Sequence, residues 1–258
     1  MARIIAIANQ KGGVGKTTTA INLAAALAVA ERRTLLVDVD PQSNATRGLG
    51  VPRQEDRTSL YDVLVNSAPA RSALMPTELK FLTLLPADRD LVGAELELTE
   101  AEAREYRLRE AIRVLEDDYD FILLDCPPAL GLLTLNALCA ARGVLVPVQC
   151  EYLALEGLTE LLDTLRRVRD GLNPELNLEG ILLTMFDDRT NLSRQVVNEV
   201  HEYFKQSVFS VTVPRNVRLG EAPSFGKPII LYDIRSKGAE AYLSLAQEIM
   251  AHEKAGTW

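Results

Sequence analysis

Cysteine, histidine and tryptophan are scarce: three, two and one copies in 258 residues, with aromatic residues at only 5%. Cys126, Cys139 and Cys150 make an odd set without metal-ligand spacing. That excludes a disulfide framework and leaves buried apolar thiols as the reading. His201 and His252 lie far apart on segments of helical pattern and read as surface residues. No apolar run reaches roughly 18 residues, the length a membrane-spanning helix needs. The chain opens almost at once into a hydrophobic run, leaving no room for a signal or transit peptide, so a cytoplasmic location is expected. Cations are also in the minority, 28 Lys and Arg against 36 Asp and Glu, for a formal net charge of −8. That balance argues against nucleic acid, because phosphate neutralisation supplies most nonspecific affinity. A basic local face would override it.

What is present is an ordinary globular composition, 47% hydrophobic and 25% charged, enough for a large core. Arg3 to Ala8 is a short β-branched run that reads as a buried strand. Asn9-Gln10-Lys11-Gly12-Gly13-Val14-Gly15-Lys16-Thr17-Thr18 follows, and Ala20 to Leu27 then supplies strong helix formers. Strand, glycine-rich loop and helix are the context in which Gly-Lys-Thr means a phosphate-binding loop. Glycine lets backbone N–H groups converge on a triphosphate, and the helix N-terminus adds unsatisfied amides and partial positive charge. Lys11, Gly12, Gly13, Val14, Gly15, Lys16, Thr17 and Thr18 are therefore the expected nucleotide-binding residues. Lys16 would lie on the β- and γ-phosphates and Thr17 on Mg²⁺, making ATP and Mg²⁺ the expected cofactors.

Further strands are expected at Thr34–Asp38, Phe81–Pro86, Asp120–Asp125, Gly143–Val148, Gly180–Asp187 and Val208–Val213. Helices are expected at Ser59–Val65, Ala94–Leu115, Leu153–Val168, Asn191–Phe204 and Ala239–Ala251, with Glu105 and Arg109 paired four apart. Function is not legible between residues 48 and 80. The alternation predicts an α/β fold: a single P-loop NTPase domain over residues 1–258, with a mostly parallel twisted sheet and helices on both faces. The strand ending in Asp125 has the Walker B arrangement, with that carboxylate placed to hold Mg²⁺ through a water.

One departure from the general pattern G-x-x-x-x-G-K-[ST] is informative. The first glycine position holds Gln10, and Lys11 opens the run Lys11-Gly12-Gly13-Val14-Gly15-Lys16-Thr17. In this form the loop resembles the deviant Walker A motif of the ParA/MinD/nitrogenase-iron-protein superfamily. The resemblance implies a homodimer closed over two ATP molecules, with Lys11 of each subunit reaching the phosphates of the other. Asp38-Val39-Asp40-Pro41-Gln42-Ser43-Asn44 resembles that family's switch I, which implies that Asp40 positions the attacking water and the metal's outer shell. Pro127-Pro128 resembles its switch II.

Val213 to Ile229, with Asp233, Ser236, Gly238 and Ala239 after it, resembles the chromosomal ParA proteins called Soj. By that likeness Pro214 and Asn216 help form the adenine pocket, with Met185 and Asp187 nearby. Arg189, Arg215 and Arg218 would contribute to a face binding double-stranded DNA of the nucleoid. No aromatic platform or reading helix stands out, so that binding is expected to be nonspecific. The resemblance also implies slow ATP hydrolysis, stimulated by a ParB-type partner, and a nucleoid-associated protein without membrane attachment. Three rivals remain at this point, one of them a pure scaffold without hydrolysis, which a phosphate-release assay would decide. A MinD-like membrane switch would need a basic amphipathic C-terminal helix, whereas Ala239 to Trp258 carries Glu240, Glu248 and Glu253 beside Lys254. An iron–sulfur reductase would need cysteines in contexts that this chain lacks.

Overall fold

A computed structural model of the chain describes residues 1–52, 57–151 and 154–255. Arg3–Ile7 forms β1, in which Ile4 and Ala6 point to one side and Ile5 and Ile7 to the other. A strand apolar on both sides belongs in the middle of a covered sheet. The remaining strands are β2 (Thr34–Asp38), β3 (Met75–Pro76), β4 (Leu82–Leu85), β5 (Phe121–Asp125), β6 (Gly143–Gln149), β7 (Asn177–Phe186) and β8 (Val208–Pro214). They make one eight-stranded sheet in the order β3-β4-β2-β5-β1-β6-β7-β8. Every pairing is parallel except the two-residue edge strand β3, which runs antiparallel to β4.

The helices are α1 (Lys16–Val29), α2 (Asn44–Gly48), α3 (Leu60–Leu64), α4 (Leu91–Glu97), α5 (Arg107–Arg113) and α6 (Leu132–Ala140). They continue with α7 (Ala154–Gly171), α8 (Asn191–Phe204), α9 (Val217–Glu221), α10 (Ile229–Tyr232) and α11 (Lys237–Ala255). Two separate cores follow from this layering. Apolar side chains of α3 to α8 cover one face of the sheet. Those of α1, α2, α10 and α11 cover the other, where Leu23 and Leu27 of α1 meet Tyr242, Leu245 and Ile249 of α11. Strand order reverses its direction of growth at β1, so the crevice beyond the C-terminal ends of β1, β5 and β6 is the topological switch point. The loops after β1, β2, β5, β7 and β8 all leave from that same edge.

The expected helix over Ala94–Leu115 is broken instead. The chain leaves α4 at Glu97, passes Ala103 in the left-handed region at φ 52° and re-enters helix at α5. The cause is a capping partner elsewhere: the Asn136 side chain of α6 accepts from Leu108 N at 3.0 Å and donates to Arg104 O at 2.9 Å. Glu105 consequently pairs with Arg104 rather than with Arg109. All three cysteines are buried, and His201 and His252 are half-buried rather than fully on the surface. The expected helix start at Leu153, and the side chains of Glu253 and Lys254, lie outside the described residues.

Candidate functional site

The loop after β1 turns through two left-handed glycines, Gly13 at φ 75° and Gly15 at φ 94°. Gly15 caps α1 in a conformation that costs an L-residue with a side chain. The loop is held by the two strands that follow β1 on one side in the sheet: Thr184 of β7 donates its hydroxyl to Val14 O at 2.8 Å, and Asn9 donates its amide to Pro147 O of β6 at 2.7 Å. Lys16 is only 8% exposed and donates to Lys11 O at 3.1 Å, so its ammonium curls back beneath the loop. Burial lowers its pKa, against the opposing pull of Asp125, Cys126 and Asp40. Lys11 behaves differently: half-exposed, it reaches out to an ion pair with Glu151 at 3.0 Å, beyond the end of β6.

Three carboxylates gather opposite Lys16. Asp38 accepts from Thr46 N and Thr46 Oγ1, both at 2.7 Å, and from Asp40 N at 3.2 Å. Burial pushes its pKa up to about 6 despite those donors. Asp40 fixes the next turn by accepting from Gln42 N at 2.9 Å. Asp125 is fully buried, and neither of its carboxylate oxygens has a hydrogen-bond partner of standard geometry. Burial, then the charge of Asp38, raises its pKa well above the carboxylate range, partly offset by the nearby Thr17 hydroxyl and by Lys16.

A bare buried carboxylate of this kind is costly unless a cation or donor completes it. Among the described residues no group of three or more His, Cys, Asp or Glu side chains could cage a metal. Mg²⁺ needs no such cage, since it keeps waters and takes phosphate oxygens alongside one or two protein ligands. Thr17 and Asp125 fit that demand, with Asp40 near them. Burial and then the charge of Asp125 push the Cys126 thiol up, away from the thiolate form.

Two adjoining cavities share Gly15, Thr18 and Met185. One, of about 340 Å³, is walled by the glycine loop, Lys16, Thr17, Asp40, Gln42 and Pro128. The second, of about 290 Å³, is lined by Thr184, Pro214, Asn216, Leu219 and Tyr242. Asn216 caps α9 through Arg218 N at 2.8 Å, and Met185 sits at φ 52°. The structure thus brings Met185, Pro214 and Asn216 beside the phosphate loop although about 170 to 200 residues separate them in sequence. Arg215 also lines this second cavity. Arg189 forms a two-pronged pair with Asp187 at 2.8 and 2.7 Å, and Arg218 bonds Glu221 at 2.9 Å. Their charges are locally matched. Sequence reasoning missed Thr46, which bonds Asp38 eight residues back, and Asn9, Glu151 and Thr184, whose partners lie far along the chain.

A family model described as an AAA domain matches residues 2–178. The chromosome partitioning protein ParA of Myxococcus xanthus is 62% identical over 253 residues, covering 98% of this chain and 89% of that protein. The sporulation initiation inhibitor protein Soj of Bacillus subtilis is 55% identical over 252 residues, covering 98% of this chain and 100% of that protein. A solved structure, cobyrinic acid a,c-diamide synthase from Mycobacterium smegmatis with bound ADP and magnesium, matches with TM-score 0.87 and 41% identity. That match covers 99% of this chain and 97% of the other.

Proposed function

The chain belongs to the ParA/Soj family of chromosome-partitioning ATPases, and we propose that it acts there as an ATP-dependent dimerising switch over residues 1–258. The observation that carries this reading is the bare Asp125 carboxylate, buried across from Lys16 and Thr17 at the mouth of a glycine loop. Gly12 to Thr18 would cradle the phosphates with backbone N–H groups, and Lys16 would neutralise the β- and γ-oxygens. Thr17 and Asp125 would hold Mg²⁺, which when bound neutralises charge on the leaving phosphoryl oxygens. Asp40 would orient the attacking water. Met185, Pro214 and Asn216 would wall the adenine.

Lys11 would leave Glu151 and lend its ammonium to the partner subunit's phosphates, so the closed dimer requires ATP. Doubling the subunit doubles any phosphate contacts made by Arg189, Arg215 and Arg218, and each contact steepens log affinity against log salt by about 0.9. Firm nonspecific DNA binding by the dimer and release after hydrolysis follow. A ParB-type protein is the partner that would stimulate turnover on the nucleoid.

A MinD-like membrane switch is less well supported. Ala239, Tyr242, Leu245, Ala246 and Ile249 of α11 are buried in the core, so the described side chains of that helix leave no spare apolar face for lipid. No described helix is long and apolar enough to cross a membrane. Identities of 62% and 55% to partitioning proteins outweigh the 41% to the diamide synthase in choosing the reaction. Phosphate release from ATP tests the assignment. Lys16→Ala should lower it by at least about a hundredfold; hydrolysis at the unsubstituted rate would remove the basis for these roles.

A further inference from the structure

Four of the eleven large apolar side chains exposed among the described residues, Val217, Phe225, Leu231 and Ile234, fall between β8 and α11. Side-chain contacts tie together the segments that carry Val217, Phe225 and Ile234. Phe225 stacks on Tyr232 with ring centroids 5.1 Å apart, and Tyr232 donates its hydroxyl to Glu221 at 3.1 Å. Arg218 donates to the same Glu221 oxygen and lies 3.6 Å from Asp233, the residue before Ile234. Val217 is 75% exposed, Phe225 63% and Ile234 59%, and apolar side chains exposed close together mark interaction sites where single ones do not. The same stretch, 215–237, holds five cations and two carboxylates in a chain whose net charge is −8.

Charge complementarity selects the occupant. A second copy of this patch across a two-fold axis would set like charges against each other. A lipid surface favours a long amphipathic helix, whereas α9 and α10 have only five and four residues. A duplex offers phosphates to the cations, and its minor groove accepts apolar wedges such as Phe and Ile.

Resting on the DNA-binding reading above, we propose that this patch meets double-stranded DNA by apolar contact. Phe225 and Ile234 press on sugar and base edges while Lys227 and Arg235 hold flanking phosphates. Affinity then has two separable parts. Cations set the slope of log affinity against log salt, about 0.9 for each phosphate neutralised, and apolar contacts shift the line without tilting it.

The test is fluorescence anisotropy of a mixed-sequence duplex with the full-length protein, ATP and Mg²⁺, across a KCl series. The double variant Phe225→Ser, Ile234→Ser should bind about tenfold more weakly at every salt concentration with the slope kept. Lys227→Ala and Arg235→Ala should instead each lower the slope, by about 0.9 for each copy of the side chain in the dimer. Thermal midpoint and light scattering confirm that the double variant folds and dimerises with ATP as the parent does. Wild-type binding that the double variant reproduces overturns the inference and leaves the DNA reading intact. No ATP-dependent binding by the wild type overturns both. A double variant that folds but no longer dimerises makes the patch a subunit contact. One that keeps DNA but loses capture by phosphatidylglycerol vesicles makes it a lipid contact. Either result sinks the proposal.

Discussion

Glu179 illustrates how single residues divide into those the sequence announces and those it hides. It sits buried on β7, its pKa raised by burial against the opposing Arg3 guanidinium, which donates to it and to Ile249 O. Because the folded pKa lies above the unfolded one, the native state binds the extra proton, and stability falls as pH rises through that window. Arg3→Met should therefore cost about 3 kcal/mol near neutral pH, and less at pH values low enough to protonate Glu179, in urea unfolding. An unchanged midpoint at both pH values would contradict this account of the pair.

Asp187 gives a second prediction. Arg189 holds its carboxyl down to about 2, and Asp187 competes with any phosphate for that guanidinium. Asp187→Asn should strengthen ATP-dependent DNA binding and steepen its salt slope by up to about 0.9 for each Arg189 released. A flatter slope would place Arg189 off the DNA face. Lys16 and Asp125 stand out in the sequence through glycine spacing and a strand end, whereas the roles expected of Lys11 and Asp40 rest on the family resemblance. The contacts of Thr184 with Val14 and of Asn9 with Pro147 join residues 170 and 138 apart, beyond any local pattern.

At the scale of elements, α2 links the switch-like turn after β2 to the turn at Ala222–Phe225. Gly50 at φ 77° and Gly226 at φ 63° meet backbone to backbone: a Cβ on Gly226 would lie 2.5 Å from Gly50 Cα. Gly226→Ala combines left-handed strain with a collision that no side chain can relieve, so a loss of about 1–3 kcal/mol is expected in urea unfolding. Wild-type stability would show that the two turns separate easily. Element identity was readable wherever periodicity was local, and α8 matches its expected span from Asn191 to Phe204. The break between α4 and α5 was not, since the capping amide of Asn136 arrives from another helix. Neither was β3, whose two residues are too few to show an alternation.

For the whole molecule, alternating strands and helices were enough to predict a parallel sheet covered on both sides. Its switch point explains why residues from five loops can converge on one crevice. What one subunit does not contain is the neighbour that Lys11 is proposed to reach, and in the single chain that lysine rests on Glu151. Light scattering of the Asp40→Ala protein in saturating ATP and Mg²⁺, with hydrolysis blocked, tests this most directly. The account predicts twice the mass of the nucleotide-free protein, and reversion to single mass when Lys11→Ala is added. A particle that keeps the mass of one subunit with ATP bound would contradict it.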